Sequence, residues 1–140
     1  MVNTGKLVVF ALEGQRYALA LACVSRVVRA VAVTPVPHAP AGELGIINVQ
    51  GEVLPVVDAR WHFGLPSRGV RPGDRFIIAT LGGRAAALVV DAVEGTLEPG
   101  GARRDVAVAE GLAAVVDPRG ETVLLCGPEA FGPAVPAGEG

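Results

Sequence analysis

A hydrolase would have to be built here from two serines, Ser25 and Ser67, and two histidines, His38 and His62. Hydrolysis needs a nucleophile, a base and a group that orients the base. Neither serine lies in a nucleophile-elbow pattern, and the histidines stand alone. Zinc needs Cys or His ligands at short spacing. Cys23 and Cys126 are far apart, and each sits among apolar neighbours, so both read as reduced core thiols rather than as a disulfide or metal pair. A phosphate-cradling loop needs glycines leading into a helix. Leu81-Gly82-Gly83-Arg84 instead leads into a strand-like run and lacks the P-loop lysine. Asp58, Asp91 and Asp117 are candidates for acid–base work, yet each closes an apolar run, as Val56-Val57-Asp58, Val89-Val90-Asp91 and Val115-Val116-Asp117. Aspartate opens turns by accepting from its own backbone, which explains that placing without chemistry. The recurring triplet also leaves open a chain of two similar halves. The expectation is no enzyme, no catalytic residue, no metal and no cofactor.

The elements that carry these residues are mostly strands. Apolar runs rich in valine alternate with Gly and Pro, which is how short strands joined by turns are written. A first strand spans 6–12, with a turn at Glu13-Gly14-Gln15, and a second spans 16–21. From Ala22 to Ala32 the valines mix helical and strand spacing, which reads as a short turn running into a strand near Arg26. Pro35, Pro37 and Pro40 keep 34–40 out of any sheet interior. The stretch 45–58 reads as a hairpin turning at Gly51, with Pro55 marking an edge or a bulge. Further hairpins are expected at 75–90 and 111–125, with a turn-rich junction at 64–74. Trp61-His62-Phe63 reads as an aromatic plug between subdomains.

The chain has 140 residues, 51% of them apolar, which is ample for a packed core. Its net charge of −2, with no basic run, argues against nucleic acid. No apolar stretch reaches the roughly 20 residues of a membrane helix, and residues 1–6 lack a signal-peptide pattern, so a cytoplasmic location without membrane insertion is expected. Val and Leu exceed what two small barrels can bury, and exposed apolar surface of that kind marks protein partners.

Gly45-Ile46-Ile47-Asn48-Val49-Gln50-Gly51-Glu52-Val53-Leu54-Pro55-Val56-Val57-Asp58 resembles the signature of the CheW family of chemotaxis coupling proteins. Phe10-Ala11-Leu12 with Tyr17-Ala18-Leu19, the segment Val33-Thr34-Pro35-Val36-Pro37, and Leu88-Val89-Val90-Asp91-Ala92-Val93-Glu94-Gly95 follow the family's order. The resemblance implies an all-β fold of two SH3-like five-stranded β-barrels packed side by side. A single domain would span 6–131, with a first barrel near 15–63, a second near 70–131 completed by strand 6–12, and a flexible tail at 132–140. It further implies a non-enzymatic adaptor that joins chemoreceptor cytoplasmic tips to the regulatory domain of the histidine kinase CheA, a monomer in isolation that assembles into arrays. Val8, Leu21, Val24, Val27 and Val93 match the family's receptor groove, although plain barrel core explains each equally well. Val33, Thr34, Val36 and Gly45 match its kinase contacts. Two positions depart from the pattern. Arg26 stands where several members carry glutamate, and Gln50 where many carry arginine, so an acid–base pair between these two positions is lost. That loss motivates two alternatives, a paralogue in another motility pathway and a receptor-only spacer. A small-molecule-binding barrel is a third.

Overall fold

In the structure, a computed structural model that describes residues 5–98, 106–109 and 111–131, the valine-rich runs become two β-sheets. The strands are β1 (Leu7–Leu12), β2 (Gln15–Ala20), β3 (Val24–Arg29), β4 (Glu43–Val49), β5 (Glu52–Asp58), β6 (Arg75–Leu81), β7 (Arg84–Val90), β8 (Ala92–Leu97), β9 (Val106–Ala109), β10 (Leu112–Val116) and β11 (Thr122–Cys126). A single helical turn, α1 (Ala59–His62), and 3₁₀ turns at Leu21–Cys23 and Pro128–Phe131 complete the described elements. The expected tail at 132–140 lies outside the described residues. Hairpins β1–β2, β4–β5 and β6–β7 each turn on two residues with positive φ: Glu13 and Gly14, Gln50 and Gly51, Gly82 and Gly83. That is the pair of conformations a two-residue turn needs to match strand twist.

One sheet is ordered β8-β1-β2-β11-β10-β9 and the other β3-β6-β7-β5-β4. Leaving out β9, the two share one pattern. Each runs antiparallel, antiparallel, parallel, antiparallel, with β2–β11 and β7–β5 as the parallel pairs. The chain therefore has two similar halves, but the Val-Val-Asp triplets do not mark them, since they close β5, β7 and β10, which hold unlike places in the two sheets. The strands also divide differently from the expected 15–63 and 70–131. β2 belongs with β1 and β11, while β6 and β7 join β3, β4 and β5, so one sheet is the continuous stretch 24–90 inserted into the other. Pro55 lies in an internal strand, not at an edge. Ile46 opposite it bonds backbone to backbone with Thr34 instead, and pairing to β7 starts only at Val56, so the missing N–H of Pro55 disrupts neither ladder.

Each sheet encloses its own small core, Leu7, Val9, Ala18 and Val123 in one, and Ile47, Leu54, Val56, Phe76 and Ile78 among others in the second. The largest cluster belongs to neither. Phe10, Leu12, Tyr17 and Leu19 from one sheet meet Val57, Ile77, Leu81, Leu88 and Val90 from the other along a seam. Much of the apolar surplus is spent there, because β1, β2, β6 and β7 are covered on both faces. Phe63 stacks on Tyr17 at 4.6 Å and meets Phe131 edge-on at 5.4 Å, plugging the seam. Trp61 takes no part in the plug and stays about half exposed.

A chain of charges crosses the same seam. Arg60 of α1, itself buried, donates to Glu13 in the β1–β2 turn and to Asp91 after β7, at 2.8 and 2.9 Å. Arg68 donates to both oxygens of buried Asp74 and, at 2.6 Å, to Asp91. The 64–74 junction is thus tied down, and Asp91 acts as an ion-pair hub, not as a turn opener. Burial pushes the Asp91 carboxyl upward, but the Glu13 N–H and the two guanidinium groups outweigh it and hold the group below the usual carboxylate range. Asp58 does keep its turn role, capping α1 by accepting from the Arg60 N–H.

Candidate functional site

Of the five positions expected to line a receptor groove, Val8, Val24, Val27 and Val93 fall on the seam side of the molecule. Val8 alternates with Phe10 and Leu12 and is buried. Val93 pairs with Phe10, and Val93 and Val24 both pack half-buried against the seam core. Leu21 sits in the 3₁₀ turn by which the chain crosses between sheets, and is exposed. Val27 presents a geometric difficulty, because a regular strand puts residues three apart on opposite faces. A bulge resolves it. Ladder pairing passes from Val24–Ala79 to Arg26–Ile78, skipping Ser25, so that Val27 pairs with Ile77 and shares the seam face with Val24. The mixed periodicity of 22–32 is this bulge.

The other face of β3 leads to a second surface. Val28, Ala30 and Val33 pack against the core of the inserted sheet. Beyond them Ala30–Val33, Pro35 and Leu44 face Val70–Pro72 across an open apolar groove of about 500 Å³. Of the expected kinase contacts, Val33 lines this groove, and Val36 is exposed just past it. Thr34 exchanges backbone hydrogen bonds with Ile46, at 2.8 and 2.9 Å, which pins the proline segment to β4. Gly45 is the residue that permits this approach. Its φ is +141°, and a Cβ there would lie 2.2 Å from the Thr34 carbonyl oxygen. Leu44, Val70 and Val31 were not among the expected site residues, because 69–72 is remote from 30–35 in sequence and reads as linker.

Arg26 and Gln50 correct one expectation in part. They do not form an acid–base pair, but Arg26 donates weakly to Gln50 Oε1 and pairs with Glu52, both at 3.4 Å. The glutamate two residues beyond the turn supplies the acid, and the contact runs in the reverse sense, with the arginine on β3. Burial pushes the Cys126 thiol up to about 12, and Cys23 upward also, and both cysteines are free. Among the described residues, no group of three or more His, Cys, Asp or Glu side chains is placed to hold a metal. No helix among them is long and apolar enough to cross a membrane.

Comparison with known proteins converges on one family. A model described as CheW-like domain matches residues 6–129. The chain is 34% identical over 98 residues to the Rhizobium meliloti protein named chemotaxis protein CheW, covering 69% of this chain and 63% of that one. Protein FrzA of Myxococcus xanthus is 33% identical over 72 residues, covering 51% of this chain and 45% of that protein. The matched region thus spans less than two thirds of these curated relatives. The structure of scaffolding protein TtCheW from Thermoanaerobacter tengcongensis superposes with a TM-score of 0.72 at 28% identity, covering 89% of both chains. With a family model over almost the whole chain and a fold that superposes on a CheW scaffold, the chain belongs to the CheW-like domain family, whose members are scaffolding proteins and not enzymes.

Proposed function

We propose that the chain is a chemotaxis adaptor that holds a chemoreceptor's cytoplasmic tip on the seam side and the regulatory domain of the kinase CheA at the groove of 30–35 and 69–72. The observation that carries this reading is that β3 separates two apolar surfaces, Val24 and Val27 on one face and the Val28–Val33 side on the other. A body with two such surfaces can hold two partners at once. Helix-in-groove docking through aliphatic anchors suits the first surface. Reversible coupling suits both, because neither surface carries an enclosed polar site. The Arg26–Glu52 contact supports retention of the usual partners, since an ion pair closes this part of the barrel even with its polarity reversed.

Co-purification tests the reading. The unaltered chain should bring down both a receptor cytoplasmic fragment and a CheA regulatory domain. Val24→Asp should lose the receptor fragment alone, and Val31→Asp, at an exposed position in the groove, the kinase domain alone. A chain that recovers receptor but no kinase would be a spacer, and one whose partners ignore both substitutions would sink the assignment.

A further inference from the structure

The seam face of β3 does not end at Val27. Residues two apart share a strand face, so Arg29 lies on it too, directly opposite Arg75 of β6 in the antiparallel ladder. Like charges in directly opposed positions destabilise a sheet. Among the described residues no carboxylate relieves this pair. Arg75 donates only to the Gly73 and Asp74 carbonyls, and Arg29 is exposed with no ion pair. The arginines whose ion pairs cross the seam have acids, Arg60 with Glu13 and Asp91 and Arg68 with Asp74, and Arg16, within the other sheet, has Asp117. In a chain of net charge −2, two unneutralised guanidinium groups at the end of an apolar stripe are a complement awaiting an acid.

We infer that the seam face takes a partner helix carrying an acidic residue one turn beyond its aliphatic anchor, the anchor on Val27 and the acid between Arg29 and Arg75. The spacing fits. Two strand residues advance about 6.6 Å and four helix residues about 6 Å, so an (i, i+4) aliphatic–acid pair matches Val27 and Arg29 in register. This rests on the reading that a receptor helix docks on that face, and adds the charge pattern by which the helix is chosen.

Titration of the full chain with a receptor cytoplasmic hairpin fragment tests it, alongside thermal unfolding of each variant. Arg29→Glu faces Arg75 with an opposite charge, so its melting temperature should rise while its affinity falls about tenfold or more. A folding defect cannot produce that combination. Binding by the unaltered chain should weaken as salt rises from about 50 to about 500 mM, and binding by Arg29→Glu should be nearly salt-independent. Changing the helix acid to lysine should restore the affinity of Arg29→Glu. If Arg29→Glu binds like the unaltered chain while Val24→Asp does not bind, docking stands and the acidic complement is overturned. If neither substitution matters, the docking reading falls and takes the inference with it.

Discussion

At the scale of single residues, Gly45 shows how a position can matter to a binding surface without touching a partner. Its hydrogen is the only group that fits between β4 and the Thr34 carbonyl, and its φ is one that side chains rarely adopt. Gly45→Ala should lower stability by about 2–4 kcal/mol in denaturant unfolding and release the 34–37 segment, visible as faster amide exchange at Thr34 and Ile46. The family resemblance picks out this residue, but the reason is steric and lies in a non-local approach that sequence does not display. His62 offers a second measurement. Burial lowers its basicity, outweighing the Ala130 backbone, Asp58 and Glu43, which favour the charged form. A group held below its ordinary value of 6.5 binds its proton more readily unfolded. Its contribution is therefore complete above about pH 6.5 and lost as pH falls through the folded value. The melting temperature should decline between about pH 7 and 5, and His62→Gln should flatten that decline. The separate fall near the carboxylate range should persist, because Asp74 and Asp91 are also held below their ordinary values.

At the scale of elements, most strands were legible because valine runs between glycines leave few alternatives. Which face each run buries was not. Leu7–Leu12 and Phe76–Ala79 are apolar without alternation because the seam covers one face and a barrel core the other, and a lone sequence cannot say that a second sheet is waiting. The bulge at Ser25 was hidden for a similar reason, appearing only as a muddled period. Among the described residues, β9 has an unguarded margin. It ends its sheet, reads Val-Ala-Val-Ala, and is exposed along its length, with no charge or proline inside it. Such an edge is a template for pairing with another chain. Val108→Lys should leave the melting temperature within about 0.5 kcal/mol equivalent and reduce light scattering at high concentration. Unchanged scattering would mean that another surface governs association.

At the scale of the whole molecule, the charges that cross the seam fix one barrel against the other. Arg60→Ala removes the guanidinium that Glu13 and Asp91 share and should cost about 3 kcal/mol or more, because the arginine is buried and its loss strands acids at the junction. Arg16→Ala, at a site confined to one sheet, should cost less, since two of its acid partners are solvent-exposed. Two barrels side by side were legible from the family resemblance, but their membership was not, because nearest neighbours along the chain make the simpler division at 63–70. The nested arrangement also sets a timetable on the ribosome. All five strands of the inserted sheet have been synthesised once Val90 emerges, whereas β1 and β2 leave the tunnel before any of them and then wait for β11, which follows them all. Until the inserted sheet forms, a hairpin with two apolar faces has neither covered, and until β11 arrives its barrel-core face stays open, so this hairpin, made before its partners, is the part most in need of a chaperone's protection.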